Sequence, residues 1–250
     1  GCENTVVALL ADDDGALVAA GLFAKAAGLS TGSVARWDGV AWSRIGGAGS
    51  GVAAPTFQSM GGGLVRYKGL LHVGGTTGSC TTVNGTCVRT GHYFNGTAWV
   101  TMGLGVDNTI NAMAVFQDLL YVGGQFTTAG GLPVGYIATW DGAAWAPLAY
   151  SGTDNTVNAL LVYGDALYVG GTFTMAGIGG GVASPYIARY SGTQWSPVGL
   201  GLSSSVTVLA ALNGALVAFS GAAAYAWNTT TLHAWAALPG LAYSSGNVRT

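Results

Sequence analysis

The sequence predicts an all-β fold built from five copies of one four-stranded unit, and three observations carry that expectation. The first is internal repetition. Val157–Trp195 reads VNALLVYGDALYVGGTFTMAG…YIARYSGTQW and copies INAMAVFQDLLYVGGQFTTAGG…YIATWDGAAW of Ile110–Trp145. The second is period: short runs alternate apolar and polar residues and are rich in β-branched and aromatic side chains, as half-buried strands are. No window shows the 3.6-residue spacing of a capped amphipathic helix. The third is punctuation, with Gly, Asn, Asp and Ser falling between the runs where hairpin turns need them. A repeat of about 50 residues cannot bury its own apolar face and must stack on its siblings. Four antiparallel strands in each of five such units make a five-bladed β-propeller.

The elements follow in order from the best copy. In the fourth, a first run spans Val157–Tyr163 and turns at Gly164-Asp165, and a second, Ala166–Gly171, closes on a Gly-Gly pair. After a loop of variable length, a third run, Ile187–Tyr190, ends in an aromatic, and a fourth, Trp195–Val198, opens with Trp. First strands are placed at Val6, Gly61, Ile110, Val157 and Val206, giving blades of approximately 1–55, 56–105, 106–152, 153–201 and 202–250 in a single domain. The Gly-Gly pair is expected to supply either positive φ or a close backbone approach where blades converge. The aromatic pairs Trp37/Trp42, Phe94/Trp99, Trp140/Trp145, Tyr190/Trp195 and Trp227/Trp235 recur once per copy and read first as wedges between blades. Both ends, Gly1–Thr5 and Ser245–Thr250, look like the inter-blade linker, so a closed ring and a stretch of a longer array both stay open.

The segment Tyr121-Val122-Gly123-Gly124-Gln125-Phe126, followed by Ile137-Ala138-Thr139-Trp140-Asp141-Gly142-Ala143-Ala144-Trp145, resembles the kelch-type and Rax2-like propeller repeats of secreted and cell-surface proteins. The match is good in copies three and four and partial in the first, at Ala20-Gly21-Leu22-Phe23. The second copy lacks the Phe after Gly74-Gly75. The fifth has lost the Gly-Gly pair and stretched its last hairpin. The resemblance implies a propeller and an extracellular or cell-surface location; it implies no activity, because propellers host unrelated ones.

Composition narrows the function classes. Only 7% of residues are charged and the net charge is −2, so there is no basic footprint for nucleic acid. No apolar run is long enough for a membrane helix, and no membrane insertion is expected. Glu3 is the sole Glu, most Asp residues fall in turns or linkers, and His72, His92 and His233 lie in different copies. No catalytic residues, metal site or cofactor are therefore assigned, and Asp12-Asp13-Asp14-Gly15 reads as a solvated turn rather than a calcium loop. Cys80 and Cys87, in the enlarged loop of copy two, are the disulfide candidate. Cys2 occupies the slot of Val106 and Thr153, an expected exposed linker, and is the candidate for an intermolecular link. Asn84, Asn95 and Asn228 head sequons and are glycosylation candidates.

A surface so poor in charge suits a protein covered by glycans or by identical neighbours. The expected function is a non-catalytic structural or adhesive propeller of an extracellular surface, appendage or filament. Its partners are filament neighbours or copies of itself, with glycans as further candidates. The alternative is a multivalent lectin, similar in size to five-bladed lectins of the tachylectin type, with sugars stacked on Trp42, Trp99, Trp145, Trp195 and Trp235. The loops Lys25–Ser33, Thr76–Thr90, Thr127–Gly135 and Thr174–Pro185 differ widely between copies, which favours the structural reading over five equivalent sites.

Overall fold

The computed structural model describes residues 1–45, 57–59, 62–77, 81–83, 86–88, 91–148, 152–177, 181–228 and 234–242. Among them there is no helix, and five antiparallel sheets of four strands are arranged as the blades of a propeller. Blade one comprises Val6–Ala11, Leu17–Gly21, Val34–Trp37 and Trp42–Arg44. Blade two comprises Leu64–Tyr67, Leu70–Val73, His92–Phe94 and Trp99–Thr101. Blades three and four repeat the plan from Ile110–Phe116 to Trp145–Pro147 and from Val157–Tyr163 to Trp195–Pro197. Blade five runs from Val206–Leu212 to Ala234–Ala242. In each, the strands pair in simple succession. The first strand of blade two starts at Leu64 rather than at Gly61, which lies outside the described residues. Glycine weakens a strand, and Gly63 serves proximity instead: a Cβ there would stand 3.2 Å from Ile110 Cγ2.

First strands line the axis, and a repeated irregularity aims their side chains at it. In blades one, three, four and five the register with the second strand slips after the first residue, at Val6/Ala8, Ile110/Ala112, Val157/Ala159 and Val206/Val208. A bulge of this kind re-aims the extra side chain. At Asn111 and Asn158 that side chain crosses to the next blade: Asn111 Nδ2 donates to Val157 O at 3.0 Å and Asn158 Nδ2 to Val206 O at 2.9 Å. Gly62, Asn111, Asn158 and Thr207, from four successive blades, line one axial cavity of about 20 Å3, room for a water molecule and no ligand.

The Gly-Gly pair works by close approach and not by positive φ. At Gly170 an added Cβ would meet Val206 Cγ1 of the next blade at 2.5 Å; Gly74 faces Ile110 and Gly123 faces Val157 in the same way. The second member lies against its own blade, Gly124 on Thr109 O and Gly171 on Thr156 O. Each first glycine thus makes room for a β-branched residue at the head of the following blade.

Apolar cores fill the seams this contact sets. Val18 and Val34 pack with Leu64 and Leu71 between blades one and two, and Ile110 and Met113 with Tyr67 between two and three. Val157 and Val169 pack with Tyr121 between three and four, and Val206 and Leu216 with Tyr168 between four and five. Among the described residues no such cluster joins blade five to blade one. Blade five carries Phe219-Ser220 where blade four has Gly170-Gly171, so its exit side lacks the cleared approach used after blades two, three and four; blade one, with Ala20-Gly21, lacks it as well.

Gly170→Ala should destabilise the fold by about 1–3 kcal/mol, the usual cost of overpacking. Val206→Ala in the same chain should recover part of that loss, although Val206→Ala alone is destabilising. Urea denaturation of the four proteins checks this. Equal and additive losses would separate the glycine from its valine.

Candidate functional site

One face of the ring is built from linkers and outer hairpins. In blades one, three and four the entering linker bridges a short hairpin inserted between second and third strands: Cys2 pairs with Ala26, Val106 with Ala129 and Thr153 with Ala176. Asp107 fixes this joint, its Oδ1 accepting from the backbone N–H of Thr127 at 2.8 Å and of Thr128 at 3.0 Å, and its Oδ2 from Thr127 Oγ1 at 2.9 Å. Asp154 repeats the pattern on Thr174 and Met175. Sequence reading treated these inserts as variable loops. The signal for hairpins was Ala27-Gly28 and Gly130-Gly131, whose two central residues all take positive φ, as type I′ turns require. The expected exposure of Cys2 is corrected. Its slot pairs with the hairpin, Val106 and Thr153 are fully buried, and Cys2 is half-buried against Phe23, where burial pushes its thiol up. On this same face stand large apolar side chains in solvent: Leu29, Leu132 and Met175 on the hairpins, Leu104 and Leu200 on the linkers, Leu200 being 96% exposed.

The opposite face carries the turns. Asp38, Asn95 and Asp141 each accept two backbone N–H donors through Oδ1, and Gly39, Gly96 and Gly142 follow with φ of 100°, 98° and 103°. The aromatic pairs flanking these turns sit directly opposite each other with ring centroids 4.8–5.5 Å apart, Trp227 and Trp235 included despite their longer connection. Trp145 Nε1 donates to Met102 O of the preceding blade at 2.6 Å and Trp235 Nε1 to Val198 O at 3.3 Å, the wedge contacts read from the repeat. Trp145 and Trp195, 6% and 9% exposed, offer no open ring face to a sugar; Trp42, Trp99 and Trp235 are half-buried. Asn95 is exposed in its turn, and Asn228 ends a strand opposite Ala234. Asn84 and Cys80 lie outside the described residues, while Cys87 stands opposite Thr82 in a short hairpin.

Charge, scarce elsewhere, gathers between blades one and two. A cleft of about 470 Å3 is lined by Arg36, Arg44, Arg66, Asp12, Asp14 and Phe94, among others. Arg66 reaches across the seam to Asp12 at 2.6 Å, and its Nη1 donates to Gly69 O at 3.2 Å. Arg36 Nε lies 3.7 Å from the same carboxylate, and its Nη2 pairs with Asp14. The Arg66 hydrogen bond holds Asp12 below the usual carboxylate range, its own burial opposing. The Asp12-Asp13-Asp14 turn is therefore an arginine partner. Among the described residues no three His, Cys, Asp or Glu gather where a metal could be held. The cleft was missed from sequence, although Lys25, Arg36, Arg44, Arg66 and Lys68 crowd five of the eight cations into the first 68 residues.

No protein-family model matches the chain, and no curated protein matches it in sequence. The kelch-type resemblance thus stands on its motif alone. Solved propellers do match in shape. A chain of a mitotic checkpoint complex aligns with a TM-score of 0.57 at 14% identity over 94% of this chain and 66% of its own. The computationally designed Ika8 protein gives 0.51 at 14% over 94% and 74%, and the WD40 propeller domain of Doa1 0.50 at 13% over 97% and 86%. At these identities the likeness shows the fold and nothing of partners or activity. No helix of the described structure is long and apolar enough to cross a membrane.

Among titratable groups in the interior, His72 is 2% exposed, stacked on Tyr93 at 5.4 Å and edge-on to Tyr67 at 5.6 Å, with Nδ1 3.0 Å from Leu70 O. Burial holds its pKa below the ordinary value of 6.5, against that hydrogen bond. The unfolded chain then binds the proton more readily, so this contribution is complete above the unfolded pKa and is lost as pH falls toward the folded one. Blades three and four place Tyr121 and Tyr168 at this position. His72→Tyr should therefore flatten the drop in melting temperature between about pH 7 and pH 5, measured by differential scanning calorimetry.

Proposed function

We propose that this protein is a non-catalytic extracellular structural or adhesive propeller that associates with copies of itself through its linker-and-hairpin face. The observation that carries the reading is the set of exposed apolar side chains on that face: Leu29, Leu104, Leu132, Met175 and Leu200. Leu132 and Met175 stand on hairpins locked by Asp107 and Asp154, so little conformational freedom is lost when those two are covered. Asp107 and Asp154 are spent on those locks, which leaves little charge to repel an identical face. Several large apolar side chains exposed on one face are a feature that a protein contact would cover. The low charge of the whole chain and the resemblance to cell-surface repeats point the same way.

Sedimentation velocity over a concentration series tests it. The wild type should form oligomers whose size grows with concentration. The pair Leu132→Asp and Leu200→Asp, both on exposed positions, should weaken association at least tenfold, about 1.4 kcal/mol, with the melting temperature unchanged. A wild type that stays monomeric at all concentrations would sink the proposal.

A further inference from the structure

We propose that the cleft between blades one and two is a binding site for an acidic saccharide, with Arg44 taking its carboxylate. The main cleft is lined by none of the five apolar side chains proposed for self-association, so a monomer should bind equally; of those five only Leu29 borders the smaller cavity beside it.

Of the three arginines, two are held by the protein itself. Arg36 and Arg66 close on Asp12 and Asp14, and their planes are thereby fixed. Arg44, half-buried on the outermost strand of blade one, has no acid or hydrogen-bond partner among the described residues. The acids nearby are otherwise engaged or turned outward. Asp38 accepts from Val40 and Ala41 in its own turn, and Asp13 is exposed outside the lining. An arginine fork matches a carboxylate with two parallel hydrogen bonds, so the one uncommitted guanidinium selects an anion of that shape.

The surroundings of Arg44 select the rest of the ligand. Ser43 and Arg44 line the main cleft and also a second cavity of about 190 Å3 that contains Trp42 and Leu29. Phe94, paired with Trp99, thus borders the main cleft, and Trp42, paired with Trp37, the smaller one. Asn95 borders the main cleft with Oδ1 occupied by Thr97 and Ala98, which leaves its amide N–H groups to donate. Aromatic rings, the Ser43 hydroxyl, which donates to Arg36 O and is left to accept, an amide donor and a guanidinium together suit a sugar carrying hydroxyls and one carboxylate. The main cleft has the size of small-molecule sites, roughly 300–1,000 Å3. Strand addition by a peptide is disfavoured because it needs a length of free edge, and the edge strand here is only Trp42–Arg44; an acidic peptide held by side chains alone is the competitor that poly-aspartate represents in the test.

Isothermal titration of the intact chain with oligogalacturonate and oligoglucuronate, against neutral oligosaccharides of the same length and poly-aspartate, tests the site. One uronate should bind with one site per chain, more weakly as salt is raised, and at least tenfold more tightly than its neutral counterpart. Arg44→Gln should lower that affinity at least tenfold. Arg189→Gln, whose partner Asp165 lies in blade four, should leave it unchanged, and both variants should melt with the wild type. The proposal is overturned if neither uronate binds, if neutral sugars bind equally, if poly-aspartate binds more tightly, or if Arg44→Gln binds as the wild type does. An affinity lost through the oligomer-breaking substitutions alone would assign the sugar to the linker face and overturn it as well.

Discussion

The fold depends on a missing atom at the end of the second strand in blades two, three and four. Where Gly74, Gly123 and Gly170 stand, the next blade presses Ile110, Val157 or Val206 into the space that a Cβ would fill. That contact sets the distance between successive sheets. The apolar seams, the asparagine bridges at the bulges and the tryptophan wedges all presuppose it. Interiors are packed densely enough that a single methyl displaced here is felt across the seam, and repetition makes the same tolerance recur from blade to blade.

How much of this was legible in the sequence depends on whether the determinant is local. Strand limits in blades three and four were readable because alternation, turn residues and Gly-Gly punctuation are properties of short windows. The turn role of Asp38, Asn95 and Asp141 was readable for the same reason. The two uses of the glycines could not be separated by sequence, since the valine or isoleucine they accommodate lies in the next copy. Cys2 was misjudged because its burial is created by a hairpin some twenty residues later. The cleft escaped notice because Arg66 and Asp12 belong to different repeats, and a search within one motif does not place them together.

The distribution of charge divides the molecule by task. Linker aspartates are consumed in holding hairpins, and turn aspartates in capping their own backbone. The carboxylates of the first turn orient arginines from two blades. Few ionised groups remain for the rest of the surface, and the late blades have none between Tyr190 and Val248. Solubility therefore cannot rest on repulsion between like charges in that half of the ring. It has to come from uncharged polar groups or from a covering neighbour.

Blade five ends its second strand on Phe219-Ser220 and shares no apolar cluster with blade one among the described residues. Among the described residues, apolar packing thus runs through four joints and not through the fifth. Were torsion applied, the seam without such a cluster would be expected to yield before the four that have one.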